Sequence, residues 1–317
     1  MDGAYEDALP MPAPPHRTAR RRAVGSGLAM AAAGGWAGLP GTSEAQRSAA
    51  APQAPAQRTA APGHALAFAL GSGSRHGLVH VGVIRAMQAR GWVPDLVVGT
   101  SAGAIAGALW ALGLPADRIR AEADTLGWLA GVRPALPRRG LLRSDAVASL
   151  VERHAGGRPI ERWPARFAAV ATDLQSGRRV VLDRGPGGLA VAASACVPAL
   201  YEPIRVDGRD LVDGSLVEPV PVRAARELGA ARVVALDIAY RPHEAPVDTP
   251  LDAAFQALHI TVNALIAEQL AAADLVIRLD VHRHFLESRD PGGALVAAGE
   301  AALAAQAPRI EALMGRP

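Results

Sequence analysis

Lysine is absent from this chain: all 33 basic side chains are arginine, set against 30 carboxylates for a formal net charge of +3. The arginines are scattered among Asp and Glu, so the chain lacks the basic stripe of a nucleic-acid surface. Cysteine occurs once, at Cys196, which excludes an intrachain disulfide and any cysteine-based metal site. It lies in Ala193-Ser194-Ala195-Cys196-Val197, where a small buried thiol is expected. Aromatics make up only 4%, and the abundance of Ala, Gly and Pro reflects GC-rich coding rather than function. No metal-ligand spacing is visible, and nothing calls for a cofactor. Half of the 317 residues are hydrophobic, enough to fill the core of one large α/β domain.

The first 63 residues carry no sustained period. Within them Arg20-Arg21-Arg22 precedes an uncharged, mostly small and apolar stretch from Ala23 to Leu39, and then Ser43-Glu44-Ala45. A basic start, an apolar middle and a small-x-small cut site describe an export signal. The paired arginines and the weakly hydrophobic middle suggest the twin-arginine route. The stretch is too short and too Gly-rich to span a membrane. We therefore expect an export signal over 1–45, a flexible linker over 46–63 and one domain over 64–317. The protein is then exported, or cytoplasmic if the leading segment is only a disordered tail.

From His64 onward apolar runs alternate with helical patterns. Strands are predicted over 65–70, 96–99, 167–172, 179–182, 232–237 and 275–279. Helices are predicted over 78–89, 102–112, 116–126, 144–154, 220–228, 252–273 and 294–313. Strands separated by helices imply an α/β fold with a mostly parallel sheet covered on both faces, an α/β/α arrangement of three layers. The strand at 179–182 follows Asp173 after a short turn and reads as half of an edge hairpin.

The most informative feature is Gly99-Thr100-Ser101-Ala102-Gly103, between a predicted strand and a predicted helix. A Gly-x-Ser-x-Gly there is a nucleophile elbow, whose tight turn needs little or no side chain at the flanking positions. The Ser101 hydroxyl then sits at a helix N-terminus, which favours developing negative charge. Directly after the first strand comes Gly71-Ser72-Gly73-Ser74-Arg75-His76-Gly77. A glycine loop opening a helix gathers several backbone N–H groups, able to hold a phosphate or a tetrahedral oxyanion. A dinucleotide fingerprint fits poorly: the third glycine comes one residue late, and Asp95 begins the second strand instead of ending it. A third segment, Asp210-Leu211-Val212-Asp213-Gly214-Ser215, places Asp213 where an apolar run meets a glycine.

Together these segments resemble the bacterial patatin-like phospholipases, in their short single-domain branch, from Ala65 to about Leu279. Gly71–Gly77 is similar to that family's oxyanion loop, Gly99–Gly103 to its elbow and Asp213-Gly214 to its Asp-Gly motif. Ala171-Thr172-Asp173-Leu174 with Gly177, Ala193-Ser194 with Val197-Pro198, and Leu228-Gly229-Ala230 add to the likeness. Two positions depart: His76 stands where the family usually has a basic residue, and Ser215 where Gly or Ala usually follows. The resemblance implies a patatin fold and a serine acyl hydrolase acting on lipid carboxylic esters, with transient contact to a membrane surface. Ser101 is then the nucleophile and Asp213 its partner. Backbone N–H groups of Gly71, Ser72, Gly73, Ser74 and Arg75 are the candidate oxyanion donors, with Gly77, Gly99, Gly103 and Gly214 supporting the motifs.

Two other readings stay open. Ser101, Asp213 and His282 fall in the chain order of an α/β-hydrolase triad. Alternatively, the chain is a non-catalytic lipid-binding or regulatory module. Residues 130–142, with Arg138-Arg139, are a candidate lid over an acyl channel.

Overall fold

The computed structural model describes residues 65–126, 145–239, 241, 247–281 and 290–315. The expected export signal, the linker, the lid segment and His282 lie outside the described residues. The strands are β1 Leu66–Leu70, β2 Leu96–Thr100, β3 Arg166–Asp173, β4 Arg179–Leu182, β5 Ile204–Val206, β6 Arg209–Asp213, β7 Arg232–Asp237 and β8 Leu275–Arg278. The helices are α1 Leu78–Ala89, α2 Ala102–Ala111, α3 Ala116–Thr125, α4 Asp145–Ala155, α5 Gly187–Ser194, α6 Val222–Glu227, α7 Pro250–Leu270 and α8 Pro291–Leu313.

Strands β3, β2, β1, β7 and β8 lie side by side and all parallel. Both faces of this sheet are buried, which is why its strands read as unbroken apolar runs. Leu66, Phe68 and Leu70 of β1 face one core with Val234 and Leu236, packed under α1, α2 and α8. Ala67 and Ala69 face the other with Val233 and Ala235, under α6 and the Val262, Ile266 and Leu270 stripe of α7. The arrangement is the expected three-layer α/β/α with a mostly parallel sheet. Helices α1 and α8 touch at Gly82 and Gly299, where an added Cβ would collide with the Val296 and Val79 carbonyls respectively. The helix that follows the glycine loop is thereby tied to the last helix of the fold.

The antiparallel strands place the site. Ala169 and Val170 of β3 pair with Gly99 and Thr100 of β2 on one side and with Leu182 and Val181 of β4 on the other. Ala171 and Thr172 still pair with β4, but opposite it their partners are now Asp213 and Val212 of β6. A strand has two edges, so β6 occupies the edge that β2 leaves at Thr100. Running antiparallel to β3, it brings its C-terminal end against the C-terminal end of β2. Neither β5 nor β6 was expected, and neither was α5. The hairpin β3–β4 was expected and is present, with β4 paired, among the described residues, to β3 alone.

Candidate active site

Residue Ser101 lies at the turn from β2 into α2, with φ 55° and ψ −119°. For a residue with a Cβ this is a strained conformation, held by its surroundings. Its neighbours show what holds it. A Cβ at Gly99 would run into Ala104, and one at Gly103 into the Leu70 carbonyl. The same Cβ would lie 2.8 Å from the Gly71 carbonyl oxygen, so the loop leaving β1 crosses directly against the first turn of α2. The glycines of the elbow are therefore required by close approach. The Ser101 N–H donates to Ser194 Oγ (3.0 Å), and that hydroxyl donates to the Val170 carbonyl (2.6 Å). Ser194, the last residue of α5, is fully buried.

The Ser101 hydroxyl donates to Asp213 Oδ2 at 2.7 Å. The other carboxylate oxygen, Oδ1, accepts from the Ser215 N–H at 2.8 Å. The Asp213 backbone is fixed on both sides: its N–H donates to the Cys196 carbonyl (2.8 Å), and its carbonyl accepts from Thr172 Oγ1 (2.8 Å). Gly214 leaves no room for a side chain, since a Cβ there would strike the Val170 carbonyl. Asp213 is 1% exposed and Ser101 8%. Burial pushes the Asp213 carboxyl above the usual aspartate range, against the opposing pull of the Ser215 N–H and the Ser101 hydroxyl.

Of the five loop residues expected to supply an oxyanion hole, the structure engages two elsewhere. The Gly71 N–H donates to the Leu236 carbonyl (3.0 Å) and the Ser72 N–H to the Pro219 carbonyl (2.8 Å). Those groups are bonds within the fold, so Gly71 and Ser72 drop out as donors. A short 3-10 helix, Ser74–Gly77, follows. The N–H groups at its start, on Gly73 and Ser74, have no acceptor among the described residues. Gly73 cannot carry a side chain, because a Cβ would lie 2.7 Å from the Ile238 carbonyl oxygen. Ser74 is exposed at φ 49°, Arg75 is half-buried, and His76 and Gly77 are buried.

One segment behind the site ties its parts together. After Asp213 the chain reaches Glu218, whose carbonyl accepts from Thr100 Oγ1 (2.9 Å), and Pro219, whose carbonyl holds Ser72. Gln269 of α7, 3% exposed, clamps this segment: Nε2 donates to the Val217 carbonyl (3.0 Å) and Oε1 accepts from the Val220 N–H (3.2 Å). The positioning contacts of Ser194 and Gln269 were not foreseen. Ser194 stood in a small-residue run, and Gln269 gave no local signal. A surface cleft of about 430 Å³ between β4, the β5–β6 turn and α5 includes neither Ser101 nor Asp213.

Residues 68–226 match the family model described as patatin-like phospholipase, which is half of the chain. The chain belongs to the patatin-like phospholipase family. An uncharacterized NTE family protein of Mycobacterium tuberculosis is 35% identical over 176 residues, covering 55% of this chain and 49% of that one. Mouse patatin-like phospholipase domain-containing protein 7 is 31% identical over 192 residues, 56% of this chain and 14% of that one. The chain thus spans about half the length, or less, of these relatives. Among solved structures, VipD from Legionella pneumophila aligns at 14% identity with a TM-score of 0.45, over 78% of this chain and 67% of that one. The patatin-like domain contains Ser101, Asp213 and the glycine loop, and among the described residues no helix is long and apolar enough to cross a membrane.

Proposed function

We propose that this patatin-like protein hydrolyses lipid carboxylic esters through a Ser101–Asp213 dyad. The observation that carries the reading is the 2.7 Å hydrogen bond from the Ser101 hydroxyl to a buried carboxylate. A serine hydroxyl is a weak nucleophile until a base accepts its proton. Asp213 Oδ2 takes that proton as Ser101 Oγ bonds to the ester carbonyl carbon. A carboxylate whose pKa is raised by burial is a stronger base than a free one. The negative charge that develops on the carbonyl oxygen meets the N–H groups of Gly73 and Ser74, and the N-terminal end of α2 adds to the favourable field. Collapse breaks the ester C–O bond, and Asp213 returns its proton to the departing alcohol. Water, deprotonated by the same carboxylate, then releases the fatty acid. Family membership supports a lipid ester as the substrate class.

The test uses the full chain with p-nitrophenyl esters and a phospholipid, beside Ser101→Ala, Asp213→Asn and His282→Ala. We expect Ser101→Ala to be inactive and Asp213→Asn to lose at least ~10²-fold in kcat/KM, the usual contribution of a general base. His282→Ala should keep near-normal activity. A collapse in His282→Ala would replace the dyad by a triad. Lipid binding that survives in an inactive wild-type protein would favour the binding-module reading.

A further inference from the structure

The glycine loop is followed directly by α1, whose Cα–Cβ bonds tilt toward its N-terminus. His80, in the first turn of α1, therefore reaches back over the loop, and its Nε2 lies 2.8 Å from the Gly71 carbonyl oxygen. A carbonyl only accepts, so Nε2 carries the proton and Nδ1 is bare. Among the described residues Nδ1 has no hydrogen-bond partner, and the ring is fully buried. Burial pushes the imidazole down to about 4, so it is neutral over the physiological range. An unpartnered buried nitrogen is unfavourable, and an aliphatic side chain would fill the same space without that penalty. What histidine adds is the one bond to Gly71.

That bond acts on a particular peptide unit. The Gly71–Ser72 peptide has its carbonyl held by His80 and its N–H held by the Pro219 carbonyl at 2.8 Å. Fixed at both ends, the plane cannot rotate. The next two N–H groups along the chain are those of Gly73 and Ser74, and glycine at 73 imposes little torsional preference of its own. We propose that His80 is a positioning residue for the oxyanion, aligning the Gly73 and Ser74 donors by locking the Gly71–Ser72 peptide. The inference rests on the hydrolase reading above.

The experiment compares wild type, Ser101→Ala, His80→Leu, His80→Gln and His80→Asn as full chains. It measures kcat and KM on p-nitrophenyl butyrate, the rate of Ser101 modification by a fluorophosphonate, and Tm. Glutamine carries an amide nitrogen at nearly the reach of Nε2, whereas the asparagine amide is too short. We expect His80→Leu to lose about 10- to 100-fold in kcat and in phosphonylation rate, because the donors it misaligns act on the oxyanion only in the transition state. Its KM should stay within roughly twofold and its Tm should change little, since losing the unpartnered nitrogen offsets leaving the buried Gly71 carbonyl without a donor. His80→Gln should restore most of the rate and His80→Asn should not. A His80→Leu protein with the wild-type kcat would overturn the inference, as would equal losses in Gln and Asn. Should Leu fail to fold, the Gln and Asn pair still decides. An inactive wild type, or an active Ser101→Ala, would instead bring down the hydrolase reading itself, a pattern distinct from a neutral His80 in a working enzyme.

Discussion

Replacing Ser194 tests the elbow without touching the nucleophile. Its hydroxyl bridges the Ser101 N–H (3.0 Å) and the Val170 carbonyl (2.6 Å), so it joins the end of α5 to both β2 and β3. Ser194→Ala removes one atom from a fully buried site, which leaves too little space for a replacement water. The Ser101 N–H is then left buried without an acceptor, a penalty of about 1–3 kcal/mol. A further cost arises because Ser101 already holds a conformation worth about 1–3 kcal/mol of strain, kept in place by such contacts. Counting the unsatisfied donor alone, at about 2–4 °C per kcal/mol for a domain of this size, Tm should fall by about 2–12 °C. Relief of the strain would let Ser101 Oγ drift from Asp213, so kcat on an activated ester should fall by about tenfold or more with KM little changed. The assay is thermal unfolding plus steady-state kinetics, with Ser176→Ala in the exposed β3–β4 turn as the control. A Tm within 1 °C of wild type would refute the accounting of the buried donor. A lowered Tm with unchanged kcat would show that Gly99, Gly103 and the α2 helix hold the elbow unaided.

Two other predictions follow from groups that burial perturbs. Burial raises the Asp213 pKa, so the folded state ionises later than the unfolded chain. Between the ordinary aspartate value and the raised one the folded state binds more protons, and this term of stability falls as pH rises. Asp213→Asn should therefore be more stable than wild type at pH 7 while being catalytically impaired, with the difference shrinking as pH drops toward 3.8; chemical denaturation of both proteins across pH checks this, and an Asn variant less stable at neutral pH contradicts it. Cys196 is buried, donates to the Glu202 carbonyl (2.9 Å), and has its thiol pushed up to about 12 by burial and the nearby Asp213 charge. The native protein should resist Ellman's reagent at pH 8 and titrate one thiol in denaturant; prompt reaction of the native protein would sink the assignment.

The parallel half of the fold was legible because burial on both faces leaves a plain mark. Segments such as Leu66–Leu70 and Arg232–Asp237 are runs of apolar residues between helical patterns, and their predicted and observed bounds differ by a residue or so. The antiparallel half leaves a weaker mark. Strand β5 has three residues, only partly buried or exposed, and β6 begins with Arg209 and Asp210. Yet a signal was there. Asp207-Gly208 joins the two strands with φ 48° and 80°, the two positive values that a type I′ hairpin turn demands and that Asp-Gly favours. Helix α5 was hidden by Gly187-Gly188 at its start, two residues of poor helix propensity. Those glycines are set by packing instead: a Cβ at Gly187 would strike the Trp163 ring, and one at Gly188 would lie 2.6 Å from the Ala148 carbonyl oxygen.

The same division runs through the candidate site. Residues that need an unusual backbone or a close approach must be particular amino acids, so Ser101 with Gly99 and Gly103, and Asp213 with Gly214, stand out locally. Groups that act through the main chain do not. Any residue in the loop from Gly71 to Arg75 offers the same N–H, and only the carbonyls of Leu236 and Pro219, far away in sequence, decide that Gly71 and Ser72 are engaged. The supports are the least visible: Ser194 reaches Ser101 across 93 residues, and Gln269 reaches Val220 across 49. Each is an ordinary buried polar residue whose role comes from its partner. It follows that substitutions confined to the motifs cannot separate a catalytic defect from a collapsed elbow. Substitutions at Ser194 and His80, which leave Ser101, Asp213 and the motif glycines in place, can.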